Sequence, residues 1–339
     1  MNKREFLNQS KRLEHLSSKF PHLYECLDFQ RFDEATYDSL VLCTDFDNEE
    51  VGGRGGSYRL AQTNPLIRSK GIKKIIKLAL PPNAISAVKD NYVLLDVLGG
   101  DGVLARALPF LLPKLSSVTI LTGDISEDMV KGAESYRLPA IRQAAQNLLL
   151  KDDSVDGVII AYGSHHLSNS ERVTALEEAN RVLKKGGKIV IHDFEKNSNV
   201  ANWFHQVVDK YSRTGHDFPH FSENIMNNLL QSSKFQDISI QRIQDSFILP
   251  VKSTEDFKLV LGRYLYQMYG LEKINDGRKN DDTWKLVYEL AKQYFKYDNY
   301  ELHSLADDFK LEGIVFFEED NKWFVEMPRI ALVATGVKF

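Results

Sequence analysis

YVLLDVLGGDGVLARAL, residues 92–108, decides how this chain is read. Its first five positions run apolar without alternation up to a closing acid, the pattern of a strand buried on both faces. Asp96 ends that run, Gly99, Gly100, Asp101 and Gly102 make a turn, and VLARAL opens a helical pattern. Glycines at such a point let a ligand approach the backbone and supply conformations that a side chain forbids. The end of this strand is therefore expected to be a cofactor-binding edge.

Three further apolar runs follow, VTILTGD (118–124), VDGVIIAY (155–162) and GKIVIHDF (187–194), with helical patterns between them. Strand and helix in regular alternation predict an α/β protein with a mainly parallel, doubly wound sheet. The spacing predicts a helix over Ser168 to Lys185, opened by the capping-box pair Ser168 and Glu171 and stopped by Gly186 and Gly187. Asp156, inside the third run, is expected to bind a neighbouring turn. The second run closes with Asp124, whose carboxylate can accept hydrogen bonds from both hydroxyls of a ribose. Gly100 to Ala105 also fits the G-x-G-x-x-A of dinucleotide sites, so these residues alone leave two classes of adenosine cofactor open. Asp124 lies 28 residues beyond Asp96, against ~20 in the dinucleotide pattern, which disfavours a nicotinamide enzyme.

Residues 144–195, AAQNLLLKDDSVDGVIIAYGSHHLSNSERVTALEEANRVLKKGGKIVIHDFE, tip the balance. Element by element this part of the chain resembles the class I S-adenosylmethionine-dependent methyltransferases, especially the ubiquinone and menaquinone C-methyltransferases and their natural-product relatives. The resemblance covers about a third of the chain. It implies a Rossmann-like fold and S-adenosyl-L-methionine as cofactor. It implies that Asp96 holds the methionine end above Gly100 and Gly102 and that Asp124 holds the ribose. Leu98, Gly99, Ile125, Ala145, Gln146 and Tyr162 would complete the cofactor wall. Two positions depart from the family pattern: Leu98 replaces a glycine of the loop, and Ala144 stands where an acid or amide usually meets the adenine, leaving Gln143 or Gln146 as substitutes.

Around this core the expected organisation is a mostly helical cap over residues 1–88, the cofactor-binding core over 89–250, a helical insertion lining the substrate pocket over 251–310, and strands completing the core sheet over 311–339. The last segments, IVFFEED and KWFVEMP around an Asp-Asn turn and then RIALVATGVKF, all read as strand. The glycine cluster Gly52 to Gly56, with Arg54 and Tyr58, lacks the ending of a phosphate loop and reads either as a flap over the cofactor or as a plain surface loop.

Composition narrows the function. Apolar residues make up 43% and charged residues 27% of the 339, and the formal charge is −4, so no global field attracts nucleic acid or an anionic membrane. The densest basic stretch, Arg68, Lys70, Lys73, Lys74 and Lys77, leaves Ile72, Ile75 and Ile76 to face inward and reads as a solvated helix face. Two cysteines, Cys26 and Cys43, form neither a disulfide framework nor a zinc motif. Without a signal-peptide pattern or a long apolar stretch, the expectation is a cytoplasmic protein with a small-molecule partner, and a homodimer is left open.

Methyl transfer from a sulfonium needs in-line approach at about 3–3.5 Å and, for a hydroxyl or an acidic carbon, a base. Five of the nine histidines fall where this fold opens its active site. His166, His165 and His192 are the expected catalytic group. Arg54, Tyr58, His216 and His220 are the expected substrate contacts. No metal is assigned, although His165, His166, His192 and Asp193 carry ligand atoms. The expected activity is methylation of a carbon or oxygen of a small metabolite of natural-product type. The alternatives are a cyclase or isomerase on the same fold that binds the cofactor without transfer, and an NAD-dependent oxidoreductase.

Overall fold

The computed structural model describes residues 3–32, 36, 40, 45–47, 49–81, 91–305 and 311–339. The expected boundaries after residues 88 and 310, and Cys43, lie outside these or at their edge.

The strands are β1 (Tyr92–Asp96), β2 (Val118–Asp124), β3 (Ala140–Arg142), β4 (Val155–Ala161), β5 (Leu183–Asp193), β6 (Gln236–Gln244), β7 (Phe247–Val251), β8 (Val315–Glu319), β9 (Lys322–Met327) and β10 (Ile330–Val337). Seven of them form one sheet in the order β3-β2-β1-β4-β5-β10-β6. The first five run parallel, and β10 enters antiparallel between β5 and β6. Strand order reverses between β1 and β4, the switch point where open α/β sheets bind ligands.

Both faces of this sheet are covered, as unalternating strands require. Leu94, Ile159, Val190 and Val333 point into one apolar core, shared with the helices Ser69–Ala79 and Phe257–Tyr269. Leu95, Val158, Ile160, Ile191 and Leu332 point into the other, shared with the helices Asn169–Val182 and Glu223–Ser232. Leu94 and Leu95 are completely buried, and truncating either to alanine is expected to cost about 2–5 kcal/mol.

The turn after β1 needs its glycines for two different reasons. Gly100 and Gly102 have φ of +56° and +80°, in the left-handed region. At Gly99 a Cβ would sit 2.7 Å from Thr122 Cγ2 and 3.1 Å from the Asp96 carboxyl. Asp156 accepts a hydrogen bond from the Val93 amide (2.9 Å) and pairs with Lys184, tying β4 to its neighbours.

Two expectations are corrected here. The capping box of Ser168 and Glu171 is present, but the helix ends at Val182. Leu183 already pairs with Val155, so Lys184 and Lys185 belong to β5. Residues 311–339 do not all complete the core sheet. β8 and β9, joined by Asp320 and Asn321 with φ of +50° and +57°, form a hairpin against β7 in a separate three-stranded sheet, and β10 alone enters the core. A local pattern that reads as strand carries no information about which sheet a segment joins.

Candidate active site

The carboxyl ends of the parallel strands open on a cavity of about 320 Å³. Leu98, Gly100, Asp124, Ile125, Ala145, Gln146 and Tyr162 line it, together with Asp45, Phe46, Met129 and Glu171, which the sequence did not point to. Asp124 accepts hydrogen bonds from the amides of Gly100 (2.9 Å) and Ser126 (2.8 Å), which fixes its carboxylate at the cavity wall. Burial pushes its pKa up to about 6 against the pull of those two amides.

Asp96 lies behind the wall, beside the glycine turn. Its Oδ2 is buried without a hydrogen-bond partner among the described residues. Burial, and then the charge of Asp124, push its pKa up to about 8. An unpartnered buried acid asks for a donor or a cation. The ammonium and sulfonium of S-adenosylmethionine are of that kind, so these residues fit the cofactor. Gly99 and Gly102 shape the turn and do not line the cavity. At the adenine end Gln143 is turned inward, its Oε1 accepting from the Leu149 amide (2.9 Å), whereas Gln146 faces the cavity and donates to Glu171 (2.9 Å). Of the two amides, only Gln146 lines the cavity.

A second, smaller chamber of about 40 Å³ shares the walls Phe46, Tyr58, Tyr162 and His166 with the first. It has room for a group of about one water or one carboxylate. Arg54 and Arg68 line it, both buried. Arg54 Nη1 donates to the Met268 carbonyl (2.9 Å), and its guanidinium lies over Phe46 and Tyr58. Arg68 contacts Met268 Sδ (3.2 Å) and lies over Tyr162. Neither has a carboxylate within 4.0 Å among the described residues, in contrast to Arg329, which pairs with Asp245. Arg68 therefore departs from the solvated basic face with which its sequence position grouped it. The lysines that follow it belong to the helix Ser69–Ala79, whose isoleucines are buried as expected.

Histidines close the chamber. His165 and His166 sit on a single turn, Ser164–His166, directly after β4, and His216 reaches them from the loop that follows residues 209–211. Asp193, at the end of β5, accepts from His165 Nδ1 (2.8 Å), the His165 amide (2.9 Å) and Ser164 Oγ (2.6 Å). His165 Nε2 lies 3.1 Å from His216 Nε2. Burial, followed by the neighbouring His165, drives the pKa of His166 well down and that of His216 to about 2. Both rings are therefore uncharged at neutral pH.

Two of the expected histidines stand apart. His192 lines neither cavity. It lies in the sheet between Ala161 and Val333, with its ring 4.3 Å from that of Tyr162 and Nε2 3.7 Å from the Asp245 carboxylate. His220 also lines neither, although its ring is 5.7 Å from that of His165.

Two backbone features hold the shared wall. Tyr162 has a φ of +63°, an uncommon conformation for a tyrosine, and its hydroxyl donates to Asp245 (2.9 Å). Residues 45–47 lie across Gly55: Arg54 N donates to the Asp45 carbonyl, Gly55 N donates to the Asp47 carbonyl, and a Cβ on Gly55 would fall 2.1 Å from the Phe46 carbonyl oxygen. Ser126 Oγ bonds Asp47 (2.6 Å) on the other side. The glycine cluster is thus a docking seam at the start of the helix Gly55–Ala61.

Comparison with known proteins agrees with this geometry. Residues 95–191 match the family model described as a methyltransferase domain. The ubiquinone/menaquinone biosynthesis C-methyltransferase UbiE of Sinorhizobium fredii is 28% identical over 170 residues, 45% of this chain and 64% of that protein. Its counterpart from Hydrogenovibrio crunogenus is 31% identical over 124 residues, 33% of this chain and 46% of that protein. The matches thus span less than two thirds of either relative. A solved structure, Haemonchus contortus phosphoethanolamine N-methyltransferase 2 in complex with S-adenosyl-L-methionine, aligns with a TM-score of 0.46 and 15% identity, over 84% of this chain and 56% of that one. With the strand order, the glycine turn and the two strand-end acids already placed, the segment from 95 to 191 is similar to a methyltransferase domain.

Proposed function

We propose that the whole chain is a methyltransferase that transfers the methyl group of S-adenosylmethionine to a carbon or oxygen of a small, acidic metabolite, of the kind made in natural-product pathways. The observation that carries this reading is the pair of cavities with four walls in common. One is edged by the strand-end acid Asp124, with Asp96 behind its wall, a pair suited to a cationic nucleoside. The other, across Phe46, Tyr58, Tyr162 and His166, is lined by aromatic rings and two buried guanidiniums without carboxylate partners. Buried charges are ordinarily paired, so an anionic group on the acceptor is the natural partner of Arg54 and Arg68.

When bound, the cofactor would supply an electrophilic methyl group on its sulfur. Asp96 and Asp124 hold its two ends. Tyr58 and Phe46 cover the junction of the cavities and exclude water, and the guanidiniums orient the acceptor, so the chain contributes mainly positioning. The imidazoles of His165, His166 and His216 border the acceptor end of the chamber.

Calorimetry with S-adenosylmethionine, S-adenosylhomocysteine and NAD tests the cofactor half, and binding of NAD alone overturns it. Incubation of the protein with methyl-labelled cofactor and a panel of aromatic and aliphatic acids tests the transfer half. Release of S-adenosylhomocysteine with label in a product supports transfer. Conversion of an acid without label transfer would instead establish the cyclase or isomerase alternative.

A further inference from the structure

Three imidazoles converge in the inner chamber in a way that a methyl-transfer site alone does not require. His165, His166 and His216 each bring a ring nitrogen within 4.8 Å of the other two, and the closest pair is 3.1 Å apart. Three nitrogens around a tetrahedral ion at about 2.0–2.1 Å stand roughly 3.3–3.4 Å apart. The closest pair is therefore near that spacing, and the third nitrogen lies within 4.8 Å of both, before any ion is bound.

The surroundings fit metal ligands as well. His165 Nδ1 is turned toward Asp193, which fixes Nδ1 as the protonated nitrogen and directs the lone pair of Nε2 into the cluster. A carboxylate behind a histidine is the usual support of a metal-binding imidazole. Asp193 is itself held by Ser164 Oγ and by the amides of His165 and Phe194, so it orients and does not compete for the ion. His216 is fixed by its own amide, which donates to Asp209 (2.7 Å), and by stacking on Phe204 at 4.2 Å. All three rings border the 40 Å³ chamber, which has space for an ion and one oxygen ligand.

We propose that His165, His166 and His216 form a site for one divalent transition ion of the zinc, iron or cobalt type, with the fourth position open to the chamber. An all-imidazole set selects borderline ions over magnesium and calcium, and three protein ligands leave the vacancy of a catalytic site. Arg54, Arg68 and Arg329 border the same chamber, and their charge opposes a bare dication, so the fourth ligand is an anionic oxygen shared by the ion and a guanidinium. The site thereby names the acceptor's anchoring group as an oxyanion. It rests on the proposed acceptor chamber but not on methyl transfer.

The test is titration of the purified, chelator-treated chain with Co²⁺ alone, read by visible absorption, followed by displacement with Zn²⁺ alone. One equivalent bound with the intense bands of a four-coordinate ion supports the site. A weak six-coordinate spectrum, or no stoichiometric binding, overturns it. His165→Ala and His216→Ala should each weaken Co²⁺ by at least about tenfold, Asp193→Asn by about 10–100-fold, and the exposed His303→Ala not at all. Unchanged Co²⁺ binding in folded His216→Ala also overturns it, and should these variants not fold, the wild-type spectrum decides. Calorimetric binding of S-adenosylhomocysteine should be unchanged in the variants. Loss of metal binding with retained nucleoside binding then separates failure of this site from failure of the cofactor reading.

Discussion

The two cavities were built in different ways. The cofactor side is assembled largely from consecutive strand ends between Asp96 and Tyr162, all but β3 presented by runs of chain that read as buried strands. The acceptor side is assembled from Phe46, Arg54, Arg68, His165, His216, Met268 and Arg329, which come together only through tertiary packing. Main-chain geometry therefore dominates the first and side-chain charge dominates the second, and the two should respond to substitution in opposite ways.

The largest effect is expected on the acceptor side. Arg68→Met should lower kcat/KM for the acceptor by a hundredfold or more while leaving S-adenosylmethionine affinity within about twofold, because loss of one partner of a buried charge pair costs about 2–5 kcal/mol. The melting temperature of the ligand-free variant, measured alongside, separates a loss of acceptor binding from a loss of folding. A fall in stability with intact turnover would erase the contrast between the two cavities. Next is Asp124→Ala, which should weaken the cofactor by roughly 1–3 kcal/mol through lost charge-assisted hydrogen bonds, as calorimetry would read. Unchanged affinity would remove Asp124 from the site.

The third prediction sharpens the comparison through pH. Asp96, at about 8 in the ligand-free protein, must lose its proton to meet the cofactor's positive charge, so the observed affinity should rise by roughly tenfold or more between pH 6 and pH 8. Asp96→Asn should flatten that slope. The stability sign is the reverse. Because the folded-state pKa is raised above the unfolded one, the ligand-free protein holds the extra proton between about pH 4 and pH 8 and loses stability as pH climbs through that window. Thermal melts of wild type and Asp96→Asn across that range check it. The smallest effect is structural: Ser168→Ala removes the capping box at the helix that carries Glu171 and should cost about 1 kcal/mol in denaturant unfolding, with the acceptor side untouched.

This contrast also sets what could be read from the chain in advance. The sheet, the glycine turn, Asp96 and Asp124 were legible because a buried strand and its ligand-facing end are local patterns. Gln146 was one of two amides left open at the adenine position, and the structure turns the other, Gln143, inward. Arg54, Tyr58 and His216 were placed on the substrate side, and each lines the inner chamber, whereas His192 and His220 do not. Strand position cannot tell which way a histidine near a strand end points relative to its neighbours. Arg68 was missed for a related reason: at the head of a lysine-rich amphipathic helix it looked solvated, and only the packing of Tyr162 and Phe247 around it shows that it is enclosed. Asp45 and Phe46 carried no signal at all, being two residues of an irregular stretch whose place depends on the absence of a side chain at Gly55.

That seam at Gly55 has a consequence for how this scaffold can diversify. A single short strip of backbone forms the ceiling of both rooms, so bulk added or removed at Phe46 is felt by nucleoside and acceptor together. New acceptor preferences can drift freely through Arg54, Arg68 or His216, but any that arise through the ceiling are bounded by what the nucleoside will tolerate.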